Sequence, residues 1–284
     1  MKLFVTIYND ATLLGHFLRH YARAGISKFF IAVPPHLTPA ATPFLNSYDI
    51  NLCEGLDVTD SLLTGTKAIT EMRKRYQESD EWVVIVDLDE FVEFGAEISL
   101  ITAAADSAGA DVVRGIMLDR FSMDGQLTEF AADADLSLVY PIKSRFIKNV
   151  MGACDHKGVL VKGHIKSAAA HHRFEDERTF ANVLEISHYK WIPGALERLR
   201  NSHRLVVAAG ITWAVEYQRA LDHYEAHGRF AWETFAGKLA EEFELESPEL
   251  CCDCGGAISE AEFAYSVAHF GRGLCRRDQM RRAS

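Results

Sequence analysis

Long apolar runs are missing from this sequence. No stretch approaches the roughly 20 residues that cross a bilayer, so a transmembrane segment is not expected. A secretory leader is not visible either. Residues 1–8 give way at once to Asn9-Asp10, and the apolar run is too short for an h-region. These two absences make a cytoplasmic location the expectation. Positive charge is not in excess: 30 Lys and Arg stand against 40 Asp and Glu, a formal net charge of −10. Duplex nucleic acid is therefore not expected as a partner. A short basic stretch, Arg272, Arg276, Arg277, Arg281 and Arg282 against Asp278, reads as a solvated tail. Internal repeats and low-complexity segments are lacking too. Cysteines are few, and Cys53 and Cys154 read as isolated buried thiols.

The 284 residues suffice for one large domain, or a domain with an appendage. Residues 3–8 read as a first strand. The helix after it carries Leu13, Leu14, Phe17, Leu18 and Tyr21 on one stripe, with Gly25 at its end. Strands are expected over residues 28–33 and 50–53, with a short helix over 38–47 between them. A long helix is expected over 59–78. This strand-helix alternation predicts an α/β fold with a mainly parallel sheet. Further on, residues 99–108 read as helix and 111–118 as extended. Residues 137–173 are a mixed basic region, 183–191 a strand, and 193–207, 213–227 and 232–243 helices.

The most informative segment is residues 82–91. Five apolar residues, Trp82 to Val86, lead into Asp87-Leu88-Asp89-Glu90-Phe91. The run reads as a buried strand, and period-two alternation would point Asp87 and Asp89 the same way. Paired carboxylates at the carboxyl end of such a strand suit Mg²⁺ or Mn²⁺ and the phosphates these ions bind.

Together with residues 5–10, His20-Tyr21, Gly25-Ile26 and residues 186–191, this box resembles the glycosyltransferase family 2-like group. The resemblance covers about residues 1–210. It implies a GT-A fold, a nucleotide-diphosphate sugar as donor, and an unknown glycan, lipid or protein as acceptor. Asn9-Asp10 stands where the group has Asn-Glu. By this resemblance Asp89 is expected as a direct ligand of Mn²⁺ or Mg²⁺, and Asp87 as a second ligand or a ribose partner. His188 either completes the metal sphere or is a buried strand histidine. Thr6 and Asn9 are candidates for nucleotide contacts, although Asn9 also suits a helix cap. Lys157 is expected to pair with the diphosphate or to be solvated, and Lys67 to approach the nucleotide or to be an exposed helix lysine. An inverting transfer needs a base for the acceptor hydroxyl. Glu90, Asp119 and Asp155 are the candidates, with Glu175-Asp176 and His171-His172 as further pairs.

The last stretch is a separate question. Cys251, Cys254, Cys275 and Asp278 resemble a zinc-knuckle module in which an aspartate replaces the final cysteine. They form either a structural Zn²⁺ site or a decayed one, and Cys252 adds an alternative register. The expected organisation is a GT-A-type domain over residues 1–210, a helical extension over 211–246 and a Cys-containing tail over 247–284. Two alternatives remain for function. One is a haloacid-dehalogenase-like phosphatase, with Asp87 as nucleophile. The other is a non-catalytic binding protein with a degenerate transferase domain.

Overall fold

The computed structural model describes residues 1–8, 10–53, 56, 61–163, 165–169, 172–235, 249–250 and 257–258. Strand β1 (Lys2–Thr6) sends Leu3 and Val5 into one buried cluster and Phe4 into another, as period-two alternation requires. Helix α1 (Leu14–Arg23) buries Leu14, Phe17, Leu18 and Tyr21 on a single stripe. In β2 (Lys28–Ala32), Phe29 and Ile31 join the first cluster, and Phe30 and Ala32 the second. Next come α2 (Thr38–Ala41), β3 (Ile50–Leu52), α3 (Ser61–Tyr76) and β4 (Trp82–Ile85). Ala68, Ile69 and Met72 of α3 cover the second face while α1 covers the first, so the sheet lies between helices. The helix expected over residues 38–47 is instead broken into α2 between 3₁₀ turns at Pro35–Leu37 and Thr42–Phe44. Pro43 has no N–H with which to continue an α-helical ladder.

The chain continues through β5 (Glu90–Glu93), α4 (Ile98–Ser107), β6 (Val112–Phe121), α5 (Leu136–Val139) and β7 (Ile142–Ser144). A π-helical turn at Ile147–Met151 precedes β8 (His156–Lys162), β9 (Ser167–Ala169), β10 (Arg173–Phe174) and β11 (Leu184–His188). Helices α6 (Ala195–Ala208) and α7 (Ala214–His227) then pack on one another. Of the helix expected over residues 232–243, the described part is a 3₁₀ turn at Trp232–Thr234. In the tail, β12 (Glu249–Leu250) pairs antiparallel with β13 (Ala257–Ile258).

The main sheet has the order β3-β2-β1-β4-β8-β6-β11-β5, with β7 on the side of β6. The β1–β2, β2–β3, β1–β4 and β6–β11 pairs are parallel. β8 runs antiparallel between β4 and β6, and β5 antiparallel beside β11. The fold is thus α/β and GT-A-like, a mostly parallel sheet flanked by helices. Glycines on β6 and β8 let side chains of β11 and β10 pack close to these strands. A Cβ on Gly115 would lie 2.6 Å from the Ile186 side chain, and one on Gly158 would lie 2.3 Å from Phe174. No side chain larger than hydrogen fits either position.

The D-x-D segment differs from its expected shape. β4 ends at Ile85, and Asp87 to Glu90 form a turn closed by the Glu90 N–H on the Asp87 carbonyl at 3.1 Å. Strand alternation therefore does not govern Asp87 and Asp89, and the two carboxylates meet different partners.

Candidate active site

A cavity of about 640 Å³ opens at the carboxyl ends of β1, β4 and β11, where open α/β sheets collect ligands. Thr6 and Tyr8 at the end of β1, the Asp87–Glu90 turn and His188 form one side. Helices α6 and α7 form the other.

The turn is held from behind. The Tyr21 hydroxyl donates to the Glu90 carbonyl at 2.9 Å and accepts from the Val92 N–H at 3.1 Å. His20 Nε2 meets the Val92 carbonyl at 2.9 Å. Phe91 packs between His20 and Tyr189, and the Tyr189 N–H donates to the Asp89 carbonyl at 2.7 Å. The histidine-tyrosine pairs at residues 20–21 and 188–189, far apart in sequence, thus brace the same box.

Two ion clusters fill the sheet side. In the first, the buried Lys157 ammonium lies 2.6 Å from Asp87 Oδ2 and 2.8 and 3.0 Å from the Glu90 carboxylate. The Asp87 N–H also donates to Glu90 Oε2 at 2.8 Å. Burial works against the Lys157 charge, but Asp87 and Glu90 outweigh it and hold the ammonium above its ordinary range. Burial pushes Glu90 up in spite of Lys157. Asp87 is open to the cavity, with 46 % of its side chain exposed.

In the second cluster, His188 stands between two carboxylates. Its Nδ1 lies 3.0 Å from Asp119 Oδ1 and its Nε2 3.4 Å from Asp89 Oδ2. Burial would lower its affinity for protons, but Asp89 and then Asp119 raise it, to about 10. Asp89 is held low, because His188 outweighs the effect of burial. Asp119 is fully buried. It also accepts from Trp191 Nε1 at 2.7 Å and from the Ile147 N–H at 2.8 Å, so one carboxylate fixes β11, the π-helical turn and the start of the α6 segment.

Several expected residues lie elsewhere. Asp119 does not line the cavity, and its oxygens already accept three hydrogen bonds. Asp155 is likewise buried behind the site, 2.7 Å from Arg145 Nε and 2.9 Å from His156 Nδ1. Burial pushes its carboxyl up, but His156 and Arg145 prevail and hold it at about 2. Glu90 lines the cavity with its carboxylate bound to Lys157. Among the described residues the three bonds of Lys157 go to Asp87 and Glu90, so this lysine orders the two carboxylates. Lys67 is exposed on α3 outside the cavity, while its neighbour Thr66 lines it. Thr6 lines the cavity and donates its hydroxyl proton to the Tyr8 oxygen. Glu175 and Asp176 are exposed and lie outside it. Asn9, His171, Cys251, Cys252, Cys254, Cys275 and Asp278 lie outside the described residues.

Whether the residues suit a divalent ion turns on Asp89 and His188. Their 3.4 Å approach is that of two donors able to share an ion, and Asp119 on the other ring nitrogen is the usual orienting partner of a ligating histidine. Asp87 fits less well, because Lys157 holds one of its oxygens. Among the described residues no three ligating side chains come together as a closed cage. Magnesium-type sites commonly use one or two carboxylates and leave the remaining positions to substrate phosphates and water. The pair therefore suits an ion whose other ligands come from elsewhere, and only once His188 has released the proton that Asp89 and Asp119 favour.

Among the cavity residues not singled out as site residues in the sequence are four that bear on its chemistry. Lys190 follows His188-Tyr189. Trp213, Glu216 and Tyr217 come from the start of α7. Their i, i+3, i+4 spacing is one helix face, which was the available signal. Burial opposes the charge on Lys190, but Tyr217, Asp89, Asp119 and Asp87 raise its affinity for protons. Arg198 of α6 joins Asp10 at 3.0 Å and donates to the carbonyls of Pro193 and Lys190, tying α6 to the start of α1. Among the described residues no helix is long and apolar enough to cross a membrane.

No family model and no curated protein matches the chain. Solved structures give faint likenesses. A 4-diphosphocytidyl-2C-methyl-D-erythritol synthase is 12% identical, over 57% of this chain and 75% of its own, with a TM-score of 0.34. HddC from Yersinia pseudotuberculosis is 11% identical over 69% and 96%, with a TM-score of 0.37. The bifunctional IspDF from Campylobacter jejuni is 10% identical over 70% and 53%, at 0.33. Likenesses of this size do not identify a function.

Proposed function

We propose that this chain transfers a glycosyl group from a nucleotide-diphosphate sugar to a hydroxyl-bearing acceptor. One observation carries the reading. The D-x-D turn, the end of β1 and a carboxylate-braced histidine line one cavity at the carboxyl edge of a GT-A-like sheet. Thr6 and Tyr8 would meet the nucleoside. Asp89 would hold Mn²⁺ or Mg²⁺ together with His188, which must first release the proton it holds between Asp89 and Asp119; when bound, the ion supplies Lewis-acid stabilisation of the departing diphosphate. Lys190, a cation on the cavity wall with no ion pair or hydrogen bond from its side chain among the described residues, would face the same phosphates. Lys157 keeps Asp87 and Glu90 in place, so the turn presents Asp89 in one orientation.

The test is binding of uridine and guanosine diphosphate, measured by calorimetry with and without Mn²⁺. Asp89→Ala is expected to weaken the metal-dependent binding about 10- to 100-fold, the range for lost metal-site partners. Lys67→Ala, outside the cavity, should leave it unchanged. Equal affinity of wild type and Asp89→Ala would overturn the assignment of the ion.

A further inference from the structure

Among the described residues five carboxylates line the cavity: Asp10, Asp87, Asp89, Glu90 and Glu216. Four face a cation. Asp10 meets Arg198, Asp87 and Glu90 share Lys157, and Asp89 meets His188. The Glu216 carboxylate has no ion-pair or hydrogen-bond partner among the described residues. It sits half-buried in the first turn of α7, between Trp213 and Tyr217, whose rings lie 5.8 Å apart at 47°. Glu216, Lys190 and the D-x-D turn line the same cavity, and Lys190 acts electrostatically on Glu216 and on Asp89 alike.

We propose that Glu216 is the catalytic base of the transfer, in an acceptor subsite walled by Trp213 and Tyr217. This rests on the glycosyl-transfer reading above. The acceptor hydroxyl gives its proton to a Glu216 oxygen while its own oxygen bonds to the anomeric carbon of the donor. The bond from that carbon to the diphosphate oxygen breaks, and its electron pair leaves with the nucleoside diphosphate. A base must have a lone pair to offer, and a carboxylate already bound to an ammonium or imidazolium offers less. That criterion separates Glu216 from its four neighbours. An aromatic wall beside a single carboxylate suits a sugar ring, with an apolar face for the rings and a hydroxyl edge for the acid. Burial raises Glu216 above the ordinary carboxylate range against the pull of Arg219 and Lys190. That direction favours a base working near neutral pH.

Water in place of the acceptor would use the same base, so donor hydrolysis tests the assignment without knowing the acceptor. UDP-glucose, UDP-N-acetylglucosamine and GDP-mannose are supplied with Mn²⁺, and release of nucleoside diphosphate is followed. Glu216→Gln is expected to slow release at least 100-fold, the lower end for loss of a general base, and to flatten the acid limb of the pH–rate profile. Its affinity for uridine and guanosine diphosphate should stay within about two-fold of wild type, which also reports an intact fold. Release at the wild-type rate by Glu216→Gln would overturn the role of Glu216 and leave the transfer reading standing. Failure of the wild type to bind either nucleotide would overturn the transfer reading, and Glu216 as its base falls with it.

Discussion

The sheet side of the cavity and its α6–α7 side handle charge in opposite ways. On the sheet side every carboxylate is matched. Lys157 bonds Asp87 and Glu90, and His188 is shared by Asp89 and Asp119. On the helical side Arg198 of α6 is paired with Asp10, but Glu216 of α7 stands without an ion pair among the described residues, as does Lys190 just beyond β11. The difference teaches what each side is built for. Matched buried charges fix geometry before a ligand arrives, and preorganised polar groups are what a developing leaving-group charge requires. Unmatched groups keep their proton-transfer and hydrogen-bonding capacity for whatever enters.

If that contrast is real, substitutions on the two sides should differ most in stability. The largest effect is expected for Asp119→Ala. It leaves His188, Trp191 Nε1 and the Ile147 N–H without their shared acceptor in a fully buried place. Breaking a buried charged pair by removing one partner costs about 3–5 kcal/mol. Chemical denaturation should show a loss of that size. A loss under about 1 kcal/mol would mean that the sheet side is not prearranged by this carboxylate, and the contrast would break.

A middle-sized effect comes from the layer just behind the sheet side. Asp155 is held at about 2, against an ordinary 3.8, with His156 and Arg145 as the favourable partners. Its carboxyl is depressed in the folded state. Its contribution is therefore complete above about pH 4 and is lost as the pH falls through 2. The difference amounts to about 2 kcal/mol. Comparing wild type with Asp155→Asn isolates it from the other carboxylates. The gap between their unfolding free energies should shrink between pH 5 and pH 2, and a constant gap would show that the Arg145–Asp155–His156 cluster adds no stability of this kind.

The same contrast explains what could be read before the structure. The opening strands, α1 and α3 were legible, because their apolar residues repeat at the periods of strand and helix. The D-x-D segment was read as a strand end, and the structure makes it a turn. The apolar run stops at Val86, and only the hydrogen bond from Glu90 to the Asp87 carbonyl reveals a turn. The partners of Asp119 and Asp155 were not legible, because a sequence shows a carboxylate without its hydrogen bonds. Arg145 and Trp191 reach them only through the antiparallel pairing of β7 and β8 with β6 and the packing around β11. The insertion of β8 between β4 and β6 was not legible at all, since strand order arises from long-range pairing. Glu216 was missed for a simpler reason. It belongs to a stretch that read as an extension beyond the transferase domain, yet α7 packs on α6 and lines the same cavity.

The smallest effect is also the sharpest test of the contrast. Glu216→Gln should change stability by no more than about 0.5 kcal/mol, as expected for a residue outside buried networks. Two contributions oppose each other there. A negative charge in the first turn of α7 is favoured by the helix dipole by roughly 0.3–1 kcal/mol, and its removal gives that up. Burial disfavours the same charge, as the raised proton affinity of Glu216 shows, and its removal relieves that. No partner is orphaned, because none is present among the described residues. A group that can be neutralised at almost no cost to the fold, while donor hydrolysis falls at least 100-fold, is held for chemistry. A loss above 1 kcal/mol would instead make Glu216 a structural carboxylate like Asp119, and the two sides of the cavity would no longer differ in kind.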